Sequence, residues 1–93
     1  MRLPGRRRPR PTSVVLVTRK GCTLCDEAEP VVVRAAADAG LVLELRDVDD
    51  DADDLVRWSD KVPVVLLDGV EHAFWRIDER RLRKALGLPG ASL

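Results

Sequence analysis

Short apolar runs alternate along this chain with segments whose apolar positions recur at helical spacing, and that alternation lays out its elements. Val14-Val15-Leu16-Val17 is four residues long, β-branched and bounded by polar residues, the signature of a buried strand. Ala28, Val31 or Val32, Ala35 and Ala39 then fall on one helical face, and Gly40 supplies a left-handed stop, which predicts a helix over 23–39. Leu41 to Arg46 reads as a second strand reached through that helix, so the first two strands should be parallel. The acidic stretch Asp47 to Asp54 leads into a short helix ending near Trp58, and acids suit the positive end of a helix dipole. Val64 to Leu67 and Val70 to Trp75 flank Asp68-Gly69, a two-residue signal for a tight hairpin of antiparallel strands. Asp78 caps a last helix with the stripe Leu82, Ala85 and Leu86, closed by Gly87 and Pro89. The order is β-α-β-α-β-β-α.

Ninety-three residues allow one small domain with a single modest core. Charge is balanced overall, with 16 basic and 16 acidic side chains, but unevenly placed. Residues 1–13 hold Arg2, Arg6, Arg7, Arg8 and Arg10 and no acid, which leaves residues 14–93 acidic. The Arg- and Pro-rich stretch is too poor in apolar residues to pack, so 1–13 is expected to be a disordered basic tail and 14–93 the folded domain. Arginine clusters attract phosphates, yet a solvated tail is the simpler reading, and no nucleic-acid or membrane partner is assigned. The run Val14 to Val17 falls short of a signal core of about 7–15 apolar residues or a span of about 20, so a cytoplasmic location is expected.

The chemistry lies in Cys22-Thr23-Leu24-Cys25, the only two cysteines, placed where the first strand turns through Thr18-Arg19-Lys20-Gly21 into the first helix. In a reducing compartment such a pair is catalytic or metal-binding more often than structural. A helix N-terminus favours the thiolate, as do the cations Arg19 and Lys20, whereas Asp26, Glu27 and Glu29 oppose it from further along the helix. Cys22 is therefore expected to be the nucleophile, with a pKa below the ~8.5 of a free thiol, and Cys25, one turn deeper, the resolving thiol. His72, the only histidine, is expected to be a surface side chain, and Trp58 and Trp75 packing residues, with a place in the substrate groove as the alternative for either tryptophan.

The element order, the segment Thr18 to Asp26 with its C-x-x-C, the dipeptide Val62-Pro63 and the turn Asp68-Gly69 together make residues 14–88 resemble the glutaredoxin branch of the thioredoxin superfamily. That resemblance implies an α/β fold of the thioredoxin-like, glutaredoxin type, with a four-stranded mixed sheet flanked by helices. It implies a small dithiol oxidoreductase that reduces disulfides in a protein or a low-molecular-weight thiol, without a cofactor. Pro63 is then a cis proline opposite the cysteines, leaving the Val62 backbone to pair with an extended substrate. Pro30, five residues after Cys25, matches the proline that bends this helix in many such proteins. Arg19 takes the place of a lysine that holds a substrate carboxylate, with Lys20 beside it.

Several positions depart from the family pattern. Thr23-Leu24 replaces Pro-Tyr, Lys61 replaces the Thr before Val-Pro, and Phe74-Trp75-Arg76-Ile77-Asp78 stands where a Gly-Gly and paired acids would grip the far end of glutathione. A thioredoxin reductase type partner is thus as reasonable a reductant as glutathione. Two other readings stand beside the enzyme: a zinc or iron–sulfur module, for which two cysteines and one histidine fall short of four ligands in one chain, and a binding protein switched by its disulfide.

Overall fold

The computed structural model describes residues 10–89. Four strands, β1 (Val14–Thr18), β2 (Leu43–Asp47), β3 (Val64–Leu67) and β4 (Val70–Phe74), form one sheet in the order β2-β1-β3-β4. The helices are α1 (Thr23–Asp38), α2 (Ala52–Trp58) and α3 (Glu79–Ala85). β1 pairs parallel with β2 and antiparallel with β3, and β3 pairs antiparallel with β4, so the sheet is mixed. This is the fold the sequence predicts. Three details differ: β2 begins at Leu43, after an exposed Val42, a 3-10 turn over Val48–Asp50 interrupts the acidic stretch, and β4 ends at Phe74, leaving Trp75 outside the strand at positive φ.

Strand alternation divides the core between the two faces of the sheet. Val14, Leu16 and Val65 face Val32, Ala35 and Ala36 of α1 with Leu82 and Leu86. Val15, Val17, Val64 and Leu66 face Val48 and Trp58. α1 presents small residues to the sheet, which lets it lie close, and Pro30 sits within it, lacking the N–H that would bond the Asp26 carbonyl. Asp68 and Gly69 both take positive φ, 53° and 81°, as a two-residue type I′ hairpin requires.

Residues 1–9, where most of the basic tail falls, lie outside the described residues. Its last residues are placed. Asp68 Oδ1 accepts from the backbone N–H groups of Thr12 and Ser13 at 2.9 and 3.0 Å and from the Thr12 hydroxyl at 3.1 Å, which holds the carboxyl below the ordinary aspartate range. The Arg10 side chain lies over the backbone of Gly87.

Candidate functional site

The pairing register brings three chain segments to one end of the sheet. Val17 pairs with Val64 and Val64 with Phe74, so the end of β1, the start of β3 and the end of β4 are neighbours. From those ends run Thr18 to Gly21 toward the cysteines, Val62-Pro63 into β3, and Trp75-Arg76 out of β4. The sheet thereby gathers most of the residues singled out in the sequence.

Cys22 is the N-cap of α1, with extended backbone (φ −100°, ψ 111°), and its Sγ accepts the N–H of Cys25 at 3.1 Å. Cys22 and Cys25 are joined by a disulfide, with Cα atoms 5.2 Å apart. Their environments differ: Cys22 is half-buried, whereas Cys25 is 3% exposed. Of the two residues, Cys22 is therefore the more accessible.

The Val62–Pro63 peptide is cis and Pro63 is buried. The backbone N–H of Trp75 is shared between the carbonyls of Lys61 at 3.2 Å and Pro63 at 2.9 Å. Arg19, in the loop that leaves β1, is already engaged. Its Nη2 and Nε meet the two carboxylate oxygens of Asp49 at 3.2 and 3.3 Å, and its Nη1 donates to the Ser59 carbonyl at 3.3 Å. Lys20 is exposed. Lys61 lies with Nζ 4.9 Å from the Phe74 ring centroid and 5.8 Å from that of Trp58, a cation over two aromatic faces, and 3.5 Å from Glu71.

Sequence reasoning left two participants unassigned. Trp75, read first as a packing residue with a place in the groove as the alternative, is 53% exposed and has φ of 65°, while Trp58 is buried as expected. With Leu24, Phe74 and Arg76 it lines a groove of about 440 Å3 beside the cysteines. A neighbouring cavity of about 230 Å3 adds Glu27, Ala28 and Ile77. Asp49 is the second, and nothing in its local sequence names Arg19, 30 residues earlier, as its partner. His72 is half-buried rather than a surface residue, with Nε2 buried and unpartnered, and burial, aided by Arg81, pushes its pKa down. Among the described residues no three His, Cys, Asp or Glu side chains cluster as metal ligands.

A mixed four-stranded sheet with a cysteine pair at the head of its first helix defines a protein of the thioredoxin fold. The chain belongs to the family described as "Glutaredoxin-like domain (DUF836)", whose model matches residues 13–87. It is 37% identical over 75 residues to the uncharacterized proteins Rv0508 of Mycobacterium tuberculosis and Mb0520 of Mycobacterium bovis, covering 75% of this chain and 77% of each relative. Among solved structures it is similar to the structural-genomics target XcR50 from X. campestris, with TM-score 0.66, 29% identity and coverage of 81% of this chain and 96% of that one. Fasciola hepatica thioredoxin shares the fold, with TM-score 0.56, 23% identity and coverage of 80% and 76%.

Proposed function

We propose that this protein is a thiol–disulfide oxidoreductase that reduces disulfides through Cys22 and Cys25. The observation that supports this most directly is the asymmetry of the pair: a reachable Cys22 sulfur held at the helix N-cap, and a buried Cys25 directly behind it. A thiolate at Cys22 would keep the Cys25 N–H as a hydrogen-bond donor and meet the positive end of the α1 dipole, both of which favour the ionised form.

In the reduced protein the Cys22 thiolate attacks one sulfur of the substrate disulfide. A mixed disulfide forms, and one substrate thiolate departs and takes a proton from water. Cys25, deprotonated, then attacks the Cys22 sulfur, which releases the second substrate thiol and closes the Cys22–Cys25 bond. Two electrons pass from the protein to the substrate. A thiol reductant, glutathione or a thioredoxin reductase type partner, returns the dithiol.

The same geometry supports a set of substrate contacts. The backbone of Val62, flanked by the carbonyls that Trp75 occupies, is available to an extended segment, with Pro63 as its floor. Arg19 can clamp a substrate carboxylate only by giving up Asp49, an exchange of one exposed ion pair for another that is worth little. That favours peptide or protein disulfides over a reductant held at Arg19, and Lys20, which makes no ion pair among the described residues, is the cation nearest Cys22 in sequence.

The test is trapping. Cys25→Ser should accumulate a mixed disulfide on Cys22, visible by mass spectrometry of the intact protein, while Cys22→Ser should lower turnover at least about a hundredfold. An adduct on Cys25 in the Cys22→Ser protein at wild-type rates would reverse the roles, and no adduct on either would remove the proposed activity.

A further inference from the structure

The groove beside the cysteines has a rigid apolar wall and an uncommitted positive charge. Trp75 is tied at three points, through its N–H to the carbonyls of Pro63 and Lys61 and through indole Nε1 to the Asp60 carbonyl at 2.8 Å, and Phe74 meets it edge-on with centroids 5.0 Å apart. Its ring is nevertheless half uncovered. An aromatic fixed in place yet left in water has already lost the rotamer freedom that binding would cost it. A non-glycine residue held at positive φ by tertiary contacts is the kind of local strain that functional sites carry.

Arg76 forms the charged end of this groove, and among the described residues it makes no ion pair. The carboxylates that follow it are engaged elsewhere: Asp78 caps α3 through the Arg81 N–H, and Glu79 pairs with Arg34 and Arg83. Glu27 lines the adjoining cavity together with Arg76, but among the described residues the two form no ion pair. On the opposite flank Arg19 is neutralised by Asp49. Among the described residues the groove therefore offers an apolar surface beside a guanidinium that makes no ion pair.

We propose that the groove walled by Leu24, Phe74, Trp75 and Arg76 binds a protein segment in which a large apolar side chain is followed by an acidic one. The apolar side chain stacks on Trp75 between Leu24 and Phe74, and the carboxylate meets Arg76. This deepens the disulfide-exchange reading by naming the substrate's flanking sequence, and it rests on that reading only for its purpose, since the binding itself needs no thiol chemistry.

The experiment uses the oxidised wild-type chain and cysteine-free hexapeptides that differ at one adjacent pair, Phe-Glu, Phe-Lys or Ser-Glu, with dissociation constants from calorimetry. Phe-Glu should bind at least about fivefold more tightly than either other peptide, a ratio in keeping with an exposed ion pair in place of a like-charge repulsion for Phe-Lys and with lost apolar burial for Ser-Glu. Arg76→Glu should turn the preference toward Phe-Lys, and Arg76→Lys should keep the order of the wild type. Equal affinities, no binding of any peptide, or a preference unmoved by Arg76→Glu would overturn the proposal. Should the Phe-Glu preference hold while disulfide reduction fails, the groove stands and the exchange activity falls; the opposite pair of results removes the groove alone.

Discussion

The Cys22 sulfur caps a helix and, in the function proposed above, bears the exchange chemistry, and that double use is why the site is legible from four residues. Spacing alone places one thiol at the helix end and the other a turn inside, and the exposures follow. Trp75 and Asp49 are illegible for the opposite reason: each owes its position to partners distant in sequence or to backbone carbonyls in another loop, for which no local pattern exists. His72 carries a residue-scale prediction. Its folded pKa lies below the ordinary 6.5, chiefly through burial and then through Arg81. Above pH 6.5 both folded and unfolded chains hold it neutral. As pH falls below that value the unfolded chain takes up a proton that the folded chain refuses, so stability declines until the pH passes the folded pKa. Urea melts at a series of pH values should show a shallower loss between about pH 7 and 5 in His72→Leu than in the wild type; identical slopes would show that His72 is not the titrating group.

Elements are legible where a local signal ends them and less so where tertiary contacts do. Gly40 at φ 74° and the Asp68-Gly69 turn stop their elements as expected. The pattern carries β2 two residues too far because Leu41 and Val42 look strand-like, although β1 has no partners left to offer them: its first residue, Val14, pairs with Leu43. The 3-10 turn hides inside a run of aspartates whose side chains cap successive N–H groups, Asp47 to Asp49 and Asp51 to Asp53 and Asp54, a preference too local to register as a helix pattern. The hairpin gives a test of backbone cost alone. A Cβ at Gly69 would meet nothing within 4 Å, so Gly69→Ala should destabilise by about 1 kcal/mol, through the left-handed conformation it forces. The melting temperature should fall by roughly 4–8 °C for a domain of this size, and an unchanged midpoint would mean that the turn relaxes to another type.

At the scale of the whole molecule, the mixed sheet is predictable because a helical crossover makes β1 and β2 parallel and the Asp68-Gly69 turn makes β3 and β4 antiparallel, whereas the anchoring of Thr12 and Ser13 on Asp68 is not, since it joins positions 56 and 55 residues apart. Leu16 is fully buried among α1, β3 and α3 residues, and Leu16→Ala should cost about 2–5 kcal/mol in urea denaturation; less than about 1 kcal/mol would indicate that the cluster collapses into the gap. β1 and β3 each send alternate side chains into both clusters, Val14 and Leu16 to one and Val15 and Val17 to the other. Neither cluster can open without separating strands that the other requires. Two half-cores built on shared strands therefore unfold as one cooperative unit, and the amide protons of Val15 to Val17 should exchange with solvent only through global opening, with a protection free energy equal to that of the entire fold.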